Sequence, residues 1–399
     1  MGLVYRKQRI HVIVEILLLI CSIFFSECKS THHSNEKGTF AGMKSAILIT
    51  GTGSVIPDVI VPNNAFLNHD FLDENGDPIN YENDVIIEKF QKITEITERR
   101  YARPDQTSKD LAAEAGLKAL KDSGWNKEDF DLLIVGQNFG DIEDGSRVME
   151  QMPSIASRVK HLMGIENPNV VAFDVLAGCP GWIQGVIIAE AYLRSGMAKR
   201  ALVIGAETLS RIVDKHDRDS MIFSDGAGAA CFELQATELN NGILGRSSAS
   251  YTKNEAYFLK SNPSNNAKLD RKERLIKMKG RKIYEFAISK VPDAMKVALD
   301  NAGVHLSEVK KIFMHQANAK LDHSVGERLF KLYDMPPNID EVMPMSIQCF
   351  GNSSVATVPT LFDLVRKEEY MGHKIEEGDI LLFASVGAGM NINAFVYRV

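Results

Sequence analysis

Cys179 stands inside Ala177-Gly178-Cys179-Pro180-Gly181-Trp182, between two apolar runs of different length. The run before it, from Phe173, is as short as a strand; the run after it, from about Trp182 to Arg194, has the length of a helix. The pattern predicts a strand, a sharp elbow and a buried helix with a thiol at its entrance. A helix start offers unpaired N–H groups and a partial positive charge. The elbow is therefore expected to favour the thiolate, the nucleophilic form of cysteine. Pro180 suits a first helical position, where its missing N–H is not needed. The plainer reading, a small buried cysteine closing a turn, fits many free cysteines. Gly178 and Gly181 on either side of this one let backbone or ligand approach closely, which favours a reactive site.

Further along, Met314-His315-Gln316-Ala317-Asn318 ends a strand-like run, and Cys349-Phe350-Gly351-Asn352-Ser353-Ser354 makes a second glycine elbow. A thiolate that carries an acyl group, with an imidazole and a side-chain amide that stabilise a developing oxyanion or enolate, are the parts of acyl transfer. Singly, His315 reads as a structural strand-end histidine and Asn352 as a turn former. Gly387-Ala388-Gly389 reads equally as backbone packing or as an N–H donor facing the nucleophile. Asp225-Gly226-Ala227-Gly228-Ala229-Ala230 lacks the Lys-Ser/Thr of a phosphate loop and reads as close packing between strands.

The elements that must bring these residues together repeat along the chain. Lys118-Ala-Leu-Lys-Asp-Ser-Gly124 matches Val297-Ala-Leu-Asp-Asn-Ala-Gly303 in order and character, and each precedes a polar stretch and a strand, Leu132–Val135 and Ile312–His315. The step from Gly124 to Gly303 equals the step from Ala201 to Ile380, where two further apolar strands begin. This predicts a duplicated α/β unit whose halves meet around a pseudo-twofold, with mainly parallel sheets covered by helices. The halves are expected at residues 43–235, with the cysteine, and 236–399, with the histidine and asparagine. A helix is expected over Gln106–Ser123 with Ser108 as its cap, and Lys268–Lys282 is expected to be exposed.

Composition narrows the function. The 399 residues are 45% hydrophobic and 25% charged, with a formal net charge of −6, which argues against nucleic acid as a partner. Five scattered cysteines give neither a disulfide framework nor zinc spacing, so no metal is expected. Residues 1–42 hold a basic start, a short apolar run at Ile16–Phe25 and a polar linker, and read as a signal-like or non-native extension with Met43 the natural start.

Taken together, Ala177-Gly178-Cys179-Pro180-Gly181, Ser224-Asp225-Gly226-Ala227-Gly228-Ala229, His315-Gln316-Ala317-Asn318, Gly351-Asn352-Ser353-Ser354 and Gly387-Ala388-Gly389 make the chain from about residue 45 onward resemble the β-ketoacyl-acyl-carrier-protein synthase III family of the thiolase superfamily. The resemblance implies a five-layered αβαβα fold, a cytoplasmic homodimer and no cofactor. It implies a triad: Cys179 takes the acyl group, and His315 and Asn352 stabilise the enolate formed when a malonyl thioester on acyl carrier protein loses carbon dioxide. The backbone N–H groups of Cys179 and Ala388 would form the oxyanion hole, and Asn318 and Lys320 would meet the carrier and its pantetheine arm. The family's adenine-clasping Trp has no counterpart in Lys89–Arg100, which leaves coenzyme A and acyl carrier protein both open as acyl donor. The loop-rich stretch Gly136–Ser154 lies where acyl-pocket residues are expected and points to a chain-length preference unlike that of fatty-acid initiation. Two alternatives stand beside this reading: a related acyltransferase or non-malonyl condensing enzyme, and a non-catalytic scaffold.

Overall fold

Two mixed sheets share one strand plan. The first runs β1 (Lys44–Val55), β7 (Asp225–Thr237), β6 (Arg200–Thr208), β4 (Leu132–Gly136), β5 (Val171–Val175). The second runs β8 (Gly242–Ser250), β13 (Asn391–Arg398), β12 (Ile380–Gly387), β11 (Val309–Met314). In both, the first two pairings are antiparallel and the next is parallel; the first sheet adds the parallel pair β4–β5. The computed structural model describes residues 44–399 apart from Glu369. The signal-like run, the linker and Met43 lie outside the described residues.

The expected predominance of parallel pairing does not hold. The connections from β6 to β7 and from β12 to β13 carry only short 3₁₀ turns and no crossover helix, so each following strand runs back antiparallel to its predecessor.

Alternation along each strand divides the side chains between two cores. Leu132 and Ile134 face a central layer, whereas Leu133 and Val135 face an outer one. The central layer holds α4 (Gly181–Arg194) and α7 (Thr357–Glu368) against both sheets, with Trp182, Val186, Leu361 and Phe362 packed on Val203, Phe232, Phe383 and Phe395. Outside the first sheet lie α2 (Ser108–Ser123) and α3 (Ile155–Leu162); outside the second lie α5 (Gly280–Ala302) and α6 (Ala319–Lys331). The result is the five-layered αβαβα arrangement. A smaller apolar cluster holds α1 (Asn83–Thr94), and two short ribbons, β2 (Val59–Pro62) with β3 (Glu98–Tyr101) and β9 (Leu259–Asn262) with β10 (Leu275–Met278), complete the unit.

The repeated heptapeptides end α2 and α5 in the same way: Gly124 and Gly303 take left-handed φ of 70° and 66°, the cap glycine suits best. The cap of α2 is Thr107, not Ser108; Thr107 N–H donates to Asp110 Oδ2 at 2.8 Å, while the Ser108 hydroxyl is buried against Thr208 Oγ1 at 2.9 Å. The charge-rich stretch 268–282 is exposed only in part. Leu275 and Ile276 are buried, and Lys277 Nζ is held by Asp214, Asp217 and Asn265 at 2.5, 2.8 and 2.7 Å. Among the described residues no helix is long and apolar enough to cross a membrane.

Candidate active site

Cys179 sits between β5 and the start of α4. Gly178 takes φ 72°, and Gly181 N–H closes the elbow on Gly178 O at 2.9 Å. Pro180 is the residue capping α4, one place ahead of the expected first helical position. Trp182 anchors the helix below: it is 1% exposed, and its indole N–H donates to Val203 O at 3.1 Å. The Gly387-Ala388 main chain presses on the elbow from the second sheet. A Cβ on Gly387 would collide with Cys179 N, and one on Gly178 would come 2.5 Å from Ala388 N. These glycines are required by close approach, and they put the Ala388 peptide beside the sulfur-bearing residue.

His315 follows β11, its N–H bound to Ala384 O of β12 at 2.9 Å, so the parallel pair β11–β12 fixes it. The ring is buried, and Nδ1 has no hydrogen-bond partner. Burial lowers its pKa to about 4, the Ser354 main chain pulling only partly the other way. At neutral pH the imidazole is therefore uncharged. A neutral ring carries one N–H and one bare nitrogen, so it can donate a single hydrogen bond.

Asn352 precedes α7. Its N–H donates to Ile222 O and its carbonyl accepts from Ser224 N–H, both at 2.9 Å, tying the loop to the entry of β7. Asn352 Oδ1 accepts from Ser354 N–H at 2.8 Å. With its oxygen so engaged, the amide faces outward as a donor. Ser354 itself has φ 54°, a left-handed conformation costly for a residue with a Cβ, and sits 5% exposed.

Ser354 is where the three predicted residues converge. Its N–H holds Asn352, it shares a cavity wall with Cys179, and its hydroxyl and main chain act on the titration of the thiol and of His315 respectively. Residues of this loop border two cavities. One of about 330 Å³ is walled by Cys179, Ser354, Ala388, Phe139, Leu209 and Phe223. The other, of about 480 Å³, is walled by Asn352, Asn318, Ala317, Phe90, Tyr284 and Arg218. His315 borders neither cavity. Cys349, in the second elbow, borders neither cavity.

The thiol is not in the state the elbow alone predicts. Burial pushes Cys179 up to about 11; the Ser354 hydroxyl opposes the rise and the nearby Glu207 carboxyl adds to it. Loss of solvation outweighs the helix start, so the resting site holds Cys179 as a thiol and His315 as a neutral imidazole.

Asn318 caps α6, its Oδ1 accepting Leu321 N–H at 2.8 Å, and lines the larger cavity. Lys320 is exposed on the first turn of the same helix and lines neither cavity. Among the described residues no group of three His, Cys, Asp or Glu side chains is placed to hold a metal ion. Sequence reasoning missed Ser354 and Glu207, which act on the thiol, and Asn138, which lines its cavity. Glu207 had a signal, a carboxylate closing the otherwise apolar run Ala201–Ala206. Ser354 had none beyond its place after Asn352.

Comparison with known proteins follows the same lines. The family model for 3-oxoacyl-acyl-carrier-protein synthase III matches residues 173–251, and the model for the C-terminal part of that enzyme matches 299–399. The chain is similar to a β-ketoacyl-acyl-carrier-protein synthase III of Erythrobacter litoralis, 30% identical over 353 residues, covering 88% of this chain and 98% of that protein. It is 32% identical over 353 residues to the enzyme of that name from Caldanaerobacter subterraneus subsp. tengcongensis, covering 87% and 96%. A crystal structure of 3-oxoacyl-acyl-carrier-protein synthase III from Aquifex aeolicus superposes with a TM-score of 0.72 at 28% identity, covering 89% of this chain and all of that one.

Proposed function

The chain belongs to the β-ketoacyl-acyl-carrier-protein synthase III family and is a condensing enzyme of the acyltransferase type; from that premise we propose how its own residues divide the reaction. Cys179 sulfur attacks the carbonyl of an acyl thioester, and the carbon–sulfur bond to the donor breaks. The thiol proton leaves with the departing sulfur, and the acyl group stays on Cys179. The N–H groups of Cys179 and Ala388 stabilise the oxyanion of this step. A malonyl group on acyl carrier protein then enters the larger cavity, where Asn318 and the exposed Lys320 meet the pantetheine arm and the carrier.

The His315 ring N–H and the Asn352 amide donate to the malonyl thioester oxygen. The carboxylate departs as carbon dioxide and its bonding pair becomes the enolate. The enolate carbon attacks the acyl-Cys179 carbonyl, the carbon–sulfur bond breaks, the β-ketoacyl thioester leaves, and the expelled thiolate takes a proton from solvent to restore the thiol. A neutral histidine suits this role, since it stabilises the enolate by donation and need not act as a base. The observation that supports the reading is the 352–354 loop, which carries Asn352, borders the Cys179 cavity through Ser354, and acts on the titration of both the thiol and the imidazole. We read the enzyme as a cytoplasmic homodimer working on carrier-bound thioesters.

The test is intact-mass analysis after incubation with acyl-coenzyme A and acyl-carrier thioesters, followed by malonyl-carrier and measurement of carbon dioxide. Expected are an acyl adduct on Cys179, no adduct on Cys179→Ala, and carbon dioxide release reduced at least a hundredfold in Asn352→Ala, the scale of losing one such donor. An adduct that survives Cys179→Ala would overturn the assignment.

A further inference from the structure

One buried cation has no part in the chemistry above. Arg99 on β3 is fully buried, and burial lowers its pKa only to about 10, so it stays charged at neutral pH. Among the described residues no carboxylate pairs with it; its neighbour Glu98 is taken by Arg100 at 2.8 Å. The guanidinium donates instead to three uncharged oxygens: Nε to Met221 O at 3.0 Å, Nη1 to Val61 O at 3.0 Å and Nη2 to Asn63 Oδ1 at 2.7 Å. The Phe66 ring covers it, 4.8 Å from Cζ. An apolar side chain of similar size would avoid the desolvation of a charge. It would not hold a main-chain carbonyl in place, which a rigid fork of donors does.

The carbonyl so held begins the strap 221–224. Phe223 in this strap forms a parallel bridge with Asn352, and Ile222 O and Ser224 N–H take both main-chain groups of Asn352 at 2.9 Å. Ser224 Oγ donates to Arg100 O at 2.8 Å and accepts Arg100 N–H at 3.0 Å, so β3 grips the strap at both ends. The loop before Asn352 also rests on Arg99: a Cβ on Gly351 would come 2.8 Å from Arg99 Cβ. Cys179 is held otherwise, by its own elbow, α4 and the Gly387-Ala388 chain; among the described residues no main-chain hydrogen bond joins that elbow to the strap.

We propose that Arg99 is a positioning residue for Asn352: by holding Met221 it sets the strap 221–224 against the loop that carries the amide, and so governs decarboxylation while leaving acyl loading on Cys179 to other elements. A donor aimed at a developing enolate acts only where it is placed, and a displacement of about 1 Å can cost as much as a hundredfold. The proposal rests on the reading of Asn352 as a donor to the malonyl thioester.

The experiment measures the two half-reactions of the full chain apart. Loading of Cys179 by S-acetyl-N-acetylcysteamine is followed by intact mass; an acetyl group is short enough to leave the Phe223 wall of the smaller cavity out of the measurement. Carbon dioxide release from S-malonyl-N-acetylcysteamine is then followed on the acetylated enzyme. A wild type that takes no acetyl group, or an Asn352→Ala that releases carbon dioxide at the wild-type rate, overturns the reading of the site and the proposal with it. With Asn352→Ala slow, Arg99→Met is expected to slow carbon dioxide release about tenfold, the scale of one bond to a charged group, and to leave loading within about threefold of wild type. Arg99→Met/Asn352→Ala is expected within about threefold of Asn352→Ala, because no amide is left to position. Should Arg99→Met fail to fold, Arg99→Lys carries the same prediction, since it keeps the cation but not the fork that reaches Met221 and Asn63 together. Results that overturn the proposal alone are wild-type carbon dioxide release in the Arg99 variants, equal slowing of both half-reactions, or a double variant about tenfold slower than Asn352→Ala.

Discussion

His315 shows what burial does to a single ionisable group. Its pKa is lowered to about 4 by desolvation, against an ordinary value of 6.5. The unfolded chain therefore takes up a proton before the folded chain does. Stability from this group is complete above pH 6.5 and is lost as the pH falls toward 4, by about 3 kcal/mol for a shift of this size. Urea unfolding of wild type and His315→Gln at pH 7 and pH 4.5 measures it, and the wild type is expected to lose more on acidification. Equal losses would mean that the imidazole is not held neutral. The same residue marks the limit of sequence reasoning. His315, Cys179 and Asn352 stand out by type and neighbours, but the protonation state of each depends on how completely the other elements cover it. The thiolate expected from the helix start gave way to a thiol for that reason.

At the scale of elements, local patterns were legible and pairings were not. The strand–elbow–helix around Cys179 and the cap glycines at Gly124 and Gly303 are written in consecutive residues. The direction of β7 and β13 depends on connections without a crossover helix, and the cap of α2 moved to Thr107 because Ser108 is drawn to Thr208, a residue far away in sequence. The glycine-rich start of β7 was read as close packing, and that is its role. A Cβ on Gly228 would lie 2.6 Å from Thr360 N and 2.8 Å from Pro359 Cβ of α7. Gly228→Ala is expected to lower unfolding free energy by about 3 kcal/mol, at the upper end for overpacking. Acylation should slow as well, since α7 carries the 352–354 loop. Denaturation with unchanged stability would show that α7 can move away freely.

For the whole molecule, the outer edge of β5 is the feature that bears on assembly. Among the described residues β5 pairs only with β4, leaving a row of backbone groups free on its other side. Val171 at its start and Leu176 just past its end are 54% and 64% exposed. A twofold pairing of this edge with its copy would cover both and extend the sheet across two subunits. Light scattering is expected to give twice the chain mass, and Val171→Asp with Leu176→Asp to give the single-chain mass with folding intact. A wild-type monomer would remove the homodimer from the proposed function.

The protonated sulfur of Cys179 carries one more consequence. Peroxide attacks thiolates far faster than thiols, and the oxidation that follows stops being reversible at the sulfinic stage. A sulfur held as a thiol between turnovers is a poor target for that attack. Its tolerance of oxidants is then a by-product of the same desolvation that makes the nucleophile wait for its substrate.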